Sequence, residues 1–173
     1  MKLQGKHIYL RAIEPGDLDF LYELENNPEL WEISGTAAPY SRHVLKQYLD
    51  NAHRDIFEVK QLRLCICDLN HKLLGLIDIF DFDPKNSRAG VGLVVSDPAS
   101  RNHGYGREAL ELVIDYAFYT LNMRQLYAHI GEQNAQSIHL FTKLGFEKAG
   151  LLEDWTRYGK DFRNVLLFQK LNR

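Results

Sequence analysis

Over residues 89–120 an apolar run, AGVGLVV, passes through SDPASRNHGYG into the amphipathic run REALELVIDYAFYT. A strand that gives way to a glycine-bearing loop and then a helix constrains both fold and chemistry. Entry through glycines leaves the first backbone N–H groups of the helix open, aims the positive end of its dipole at the loop, and removes Cβ atoms that would obstruct a ligand. Those are the requirements for holding a phosphate. The other residues decide which phosphate-bearing molecule is held, and what is done with it.

Upstream, the apolar period is that of strands. Stretches 61–68 and 73–82 flank the polar turn Asn70-His71 and make a hairpin, and a second turn, 83–87, leads into the strand 89–95. Three consecutive strands thus form an antiparallel meander. Before it, a strand at 7–13 ends at Glu14-Pro15-Gly16. Asp17 then opens a helix with Leu18, Leu21, Tyr22 and Leu24 on one side, stopping near Asn26-Asn27-Pro28. Residues 29–40, punctuated by Gly35 and Pro39, read as a loop with one helical turn. Ser41 caps a helix at 42–52, where Val44, Leu45, Tyr48 and Leu49 repeat at helical spacing. After the glycine-entered helix, 106–121, come a strand at 125–130 and a helix capped by Asn134 that runs to Leu144 and stops at Gly145. Two strands, 147–155 and 163–171, close the chain around the turn Tyr158-Gly159-Lys160-Asp161. Without repeat or linker, residues 1–173 read as a single domain of the α/β or α+β class on a mixed sheet.

A formal net charge of -2, with basic residues dispersed along the chain, leaves no footprint for nucleic acid. No stretch approaches the roughly 18 apolar residues of a membrane span, and the N-terminal residues lack the apolar centre of an export signal. Cys65 and Cys67 share one face of a strand, and no further Cys or His pair stands at ligand spacing. The expectation is two buried, reduced thiols in a cytoplasmic protein, with no metal site.

Gly104-x-Gly106-x-x-Ala109 also fits the dinucleotide fingerprint, with Glu132 at the end of the next strand. In that fingerprint, however, the first glycine follows its strand almost at once, whereas residues 96–103 intervene here. A P-loop is excluded, since no Gly-Lys-Ser/Thr follows. Arg101 and Arg107 bracket the glycines with forked donors suited to phosphate oxygens.

The run Arg101-Asn102-His103-Gly104-Tyr105-Gly106 resembles the R/Q-x-x-G-x-G/A pyrophosphate motif of the GCN5-related N-acetyltransferases (GNAT), which bind acetyl-CoA. The resemblance extends in order over RAIEPGDLDFLYELENNPEL, the meander, the motif and QNAQSIHLFTKLGFEKAG, and is nearest to the RimJ/RimL and spermidine acetyltransferase branch. It implies a mixed, mostly antiparallel seven-stranded sheet with about four helices and splayed central strands. It further implies an enzyme that moves an acetyl group from acetyl-CoA to a primary amine by direct transfer in a ternary complex. The acceptor would be a small amine, a polyamine or a protein N-terminus, and a homodimer is possible. A non-catalytic acyl-CoA-binding or sensing protein is the alternative.

By the same resemblance, the backbone of Leu93, Val94 and Val95 binds the pantetheine arm, and the N–H of Val94 meets the oxyanion. Residues Arg101, Asn102, His103, Gly104, Tyr105, Gly106 and Arg107 wrap the pyrophosphate. Asn134 contacts pantetheine as well as capping its helix, and Lys143 approaches a nucleotide phosphate. An alkyl amine with a pKa around 10 needs a base. Asp78 and Asp81, which simple alternation sets on opposite faces with Asp83 beside Asp81, are the candidates for base and for contact with a cationic substrate, and Glu32 is a further substrate contact. Two departures stand out. Where many members carry a Tyr that protonates the leaving sulfur, this chain has Phe141, whose ring packs on pantetheine but gives no proton; water, Tyr105, Tyr127 or Tyr158 would have to serve. Ala37-Ala38 stand before Pro39-Tyr40, where spermidine acetyltransferases carry an acidic pair.

Overall fold

Strand alternation and helical spacing resolve into a single twisted sheet in the computed structural model, which describes residues 3–96 and 98–173, without the side chains of Glu32 and Ile33. The strands are β1 (Ile8–Ala12), β2 (Leu62–Asp68), β3 (Leu73–Asp83), β4 (Arg88–Val95), β5 (Gln125–Gly131), β6 (Glu147–Tyr158) and β7 (Asp161–Leu171). They lie in the order β1-β2-β3-β4-β5-β7-β6. Every neighbouring pair is antiparallel except β4 and β5, which run parallel. Among the described residues no helix is long and apolar enough to cross a membrane.

Alternation divides the apolar side chains between two faces. Leu64, Ile66, Ile77, Ile79, Ala89 and Val91 join Leu110 and Val113 of helix α5 (Tyr105–Asp115) in the larger core. Cys65, Cys67 and Leu76 turn the other way, against Leu21 and Leu24 of α1 (Leu18–Glu25) and Leu45 and Leu49 of α3 (Arg42–Asp50). Both thiols are free and fully buried. The second core covers β1 to β3 and takes in Val94 of β4 but no residue of β5 or β7, so this face of β5 and β7 stays uncovered by α1 and α3.

Six α-helices stand among the described residues rather than four. Helix α2 (Pro28–Ser34) occupies the stretch read as a loop. The Asn-Pro that stops α1 also starts α2: the Asn27 side chain accepts the N–H of Glu29, and Pro28 fills a first-turn position that needs no donor. Helix α4 (Ile56–Val59) is a single turn capped by Asp55. Helix α5 ends in a π-helical turn, Tyr116–Thr120, and α6 is Ala135–Lys143. The final hairpin is tighter than expected, since β6 runs on to Tyr158 and β7 starts at Asp161.

Candidate active site

The parallel contact between β4 and β5 consists of three register pairs, Arg88 with Gln125, Ala89 with Leu126 and Gly90 with Tyr127, after which the strands part. Beyond Gly90, β4 stays paired with β3 as far as Val95. Ser96 donates its N–H to the carbonyl of Leu74 at 3.0 Å, which fixes the phase of that ladder. In an antiparallel pair, successive residues point their N–H and C=O alternately to one neighbour and to the other. Val94, opposite Leu76, therefore turns its backbone groups toward β3, as does Gly92, whereas Leu93 and Val95, past the last pair with β5, turn theirs into the gap. The expectation that the N–H of Val94 faces the gap is corrected to its neighbours.

At the far end of β4 the loop is shaped by two left-handed residues, Asn102 at φ 63° and Gly104 at φ 81°. Gly104 is the N-cap of α5 and brings no side chain to the cap, so the N–H groups of Tyr105, Gly106 and Arg107 have no partner inside the helix. Gly106 fits because its helix turn lies close on β4 and α6; a Cβ there would sit 3.1 Å from Leu93 Cδ1 and 4.0 Å from Leu140 Cδ2. The arginines are less outward than the sequence suggests. Arg101 donates Nε to the carbonyl of Val95 at 3.1 Å, and Arg107 pairs with Glu111 one turn on at 2.9 Å. His103 bonds the carbonyl of Ala99 and stacks on Tyr105. Gln136 of α6 reaches Asn102 at 3.2 Å, tying the loop to the second helix beside the gap.

The carboxylates expected along β3 fall on one face. A bulge between Phe80 and Asp83, with Asp81 at φ 47°, breaks the alternation that set Asp78 apart from Asp81. Asp78 accepts two hydrogen bonds from Arg63, 2.7 and 3.0 Å, and Arg63 also donates to Glu25 at 2.9 Å. Two carboxylates thus share one guanidinium on the face below α1. Asp81 instead accepts the hydroxyl of Tyr127 at 3.2 Å. Burial, followed by the charge of Asp81, pushes the Tyr127 phenol up to about 12. The Phe80 ring lies over Gly90, where a Cβ would be 2.2 Å away, and meets Tyr127 edge-on at 6.1 Å. On the uncovered face of β5 these residues border a cleft of about 540 Å³ lined by Asp81, Asp83, Arg88, Tyr127, His129 and Gln169, among others.

Asn134 caps α6 by accepting the N–H of Ser137 at 3.1 Å. Lys143, exposed in the last turn of α6, stands one turn beyond Leu140. Phe141 is buried in the larger core, edge-on to Phe146 at 4.9 Å. Of the tyrosines considered as proton donors, Tyr158 lies on the final hairpin beneath Arg163. The side chain of Glu32 lies outside the described residues. Sequence reasoning missed Arg63 and Glu25, whose partnership spans 38 positions, and His129, which follows Tyr127 by two on β5 and shares its face. For His129 the strand period was a usable signal.

Residues 7–147 match the family described as acetyltransferase (GNAT) domain. The spermidine N(1)-acetyltransferase of Vibrio cholerae is 28% identical over 174 aligned residues, with 98% of either chain covered. An N-acetyltransferase 9-like protein of Nematostella vectensis is 35% identical, covering 84% of this chain and 77% of its own. Among solved structures, spermidine N-acetyltransferase from Vibrio cholerae in complex with CoA and spermine superposes with a TM-score of 0.86, at 24% identity and with 95% of each chain covered.

Proposed function

This chain belongs to the GNAT acetyltransferase family, and we propose that it carries acetyl from acetyl-CoA to the primary amine of a small polycation of the polyamine class, by direct transfer in a ternary complex. The observation that carries this reading is the parting of β4 from β5 beside a glycine-entered helix. The opened ladder offers the backbone of Leu93 and Val95 to the amides of a pantetheine arm, as a strand would. The N–H groups of Tyr105, Gly106 and Arg107 receive the pyrophosphate, and the closeness of Gly106 to Leu93 lets one extended molecule reach both.

Transfer needs a neutral amine, support for the oxyanion and departure of the thiolate. The N–H of Leu93, turned into the gap, is the oxyanion donor in this reading, in place of Val94. Phe141, in the place where many members carry an acid Tyr, gives no proton, and a thiol pKa of about 8.5 lets the sulfur leave as thiolate. For the acceptor, Glu25, Asp78, Asp81 and Asp83 outnumber Arg63 and Arg88 around the parting strands, a balance that favours a cation. The similarity to the spermidine N(1)-acetyltransferase of Vibrio cholerae supports the same class, although Ala37-Ala38 removes carboxylates expected in that branch.

The test is thermal unfolding with and without millimolar CoA, followed by thiol release from acetyl-CoA with spermidine, spermine, a diamine and a short peptide with a free N-terminus. Stabilisation by CoA and turnover on the polyamines are expected, because a ligand of the native state must raise its stability. Unchanged stability, or turnover confined to the peptide, overturns the reading.

A further inference from the structure

From the register of three neighbouring strands we infer that His129 is the base that takes the proton from the acceptor amine; the inference rests on the acetyl transfer proposed above. Across β3 and β4, Phe80 stands opposite Gly90 and Asp78 opposite Gly92. Across β4 and β5, Gly90 stands opposite Tyr127. Past that pair the strands part, so Gly92 and His129, each two residues further along its own strand, stand on opposite sides of the gap. The residues of one face therefore form two rows: Phe80, Gly90 and Tyr127, and beyond it Asp78 and Gly92, with His129 across the opened gap.

The first row is filled, because the ring of Phe80 occupies the space above Gly90 and abuts Tyr127. The second differs. A Cβ on Gly92 would meet only the edge of Phe80, at 3.7 Å, so β4 contributes no side chain between Asp78 and His129. A trough is left one residue from Leu93, whose N–H points into the gap. A primary amine lying in it stands beside the carbonyl that this N–H would hold, and within reach of the imidazole directly or through one water.

Asp78 is the weaker choice for the base, since both its oxygens are engaged by Arg63. Asp81 is held by Tyr127. His129 is exposed and lies at the rim of the cleft. The groups facing it are Asp81 and Asp83 from β3, Arg88 from β4, Gln125 and Tyr127 from its own strand, and Leu167 and Gln169 from β7. The imidazole removes one proton from the ammonium. The neutral nitrogen then forms the C–N bond, the C–S bond breaks, and the second amine proton passes to the departing thiolate. The imidazolium returns its proton to water, so the net products are the amide, CoA thiol and one proton.

The test compares the wild-type enzyme with His129→Gln and Gly92→Val, reading kcat/KM by thiol release from pH 5 to 10 together with thermal stabilisation by CoA. His129→Gln is expected to lose on the order of 10²-fold in kcat/KM near neutral pH. Its kcat/KM should go on rising toward the pKa of the free amine, about 10, whereas the wild type levels off at lower pH. Gly92→Val, which fills the trough, should raise KM for the amine. Both variants should keep the stabilisation by CoA. An unaltered pH profile in His129→Gln overturns the assignment, as does an unaltered amine KM in Gly92→Val. Failure of CoA to stabilise the wild type instead overturns the proposed activity.

Discussion

Gly104 holds a left-handed conformation at φ 81° with nothing within 4 Å of where its Cβ would be, so its requirement is conformational and not steric. Gly104→Ala should cost about 1–2 kcal/mol, the penalty of that conformation for an L-residue. Its effect on KM should fall on acetyl-CoA and spare the amine, which initial-rate kinetics with each substrate varied would separate. Arg63 offers the opposite case, a side chain fixed by what surrounds it. Arg63→Met would leave Glu25 and Asp78 facing one another without a cation. The cost should be about 3 kcal/mol, the low end for breaking a buried pair, because both carboxylates keep some solvent contact. Urea unfolding measures it. The glycine was legible in the sequence, since a turn residue announces itself by type. Arg63 was not: its partners lie on α1 and β3, and only the folded register brings them together.

Strand β2 carries chemistry that β3 and β4 do not. Its two thiols face the core under α1 and α3, and burial raises both, Cys65 to about 12. Unfolded thiols ionise near pH 8.5, whereas the folded ones do not. The native state thus binds more protons in that interval, and stability must fall as pH rises. That contribution is fully present below the ordinary thiol pKa and is lost as pH climbs toward 12. The Asp17 carboxyl works at the other end. Arg11 grips it with two hydrogen bonds of 2.8 Å and holds it below the usual carboxylate range. Its contribution is present above about pH 4 and is lost as pH falls through the lowered value. Midpoints of chemical unfolding should therefore drop at both extremes, and in Cys65→Ala the alkaline drop should shrink. At this scale the strands and long helices followed from period and caps. The two short helices did not: α2 begins on the residues that end α1, and α4 is one turn long. The bulge at Asp81 was equally hidden, because it depends on pairing with β4 and not on any residue of β3 alone, and it put three carboxylates on one face where alternation had divided them.

Across the whole molecule, one sheet is made of two parts, β1 to β4 and β5 to β6, that share three register pairs and then separate. The site expected at the parting was readable from the glycine loop and from resemblance. Which backbone groups face it was not, since a shift of one residue exchanges them. An interior strand ordinarily has both edges occupied, and here β4 has an edge in the middle of the fold. Edges of that kind are where chains aggregate or swap, but this one lies beside the start of α5, where Gly106 comes close to Leu93 and to Leu140 of α6. With CoA laid along β4 as proposed above, the resting enzyme is an incomplete sheet whose absent strand is consumed and replaced at each turnover. Hydrogen exchange gives the consequence: the amides of Leu93 and Val95 should exchange fast alone and slow with CoA, while those of Val91, paired with β5, and of Gly92 and Val94, facing β3, should change little. Product release then carries the cost of reopening a β-ladder, which couples turnover rate to the strength of backbone hydrogen bonds and ties it only weakly to the identity of the side chains along β4.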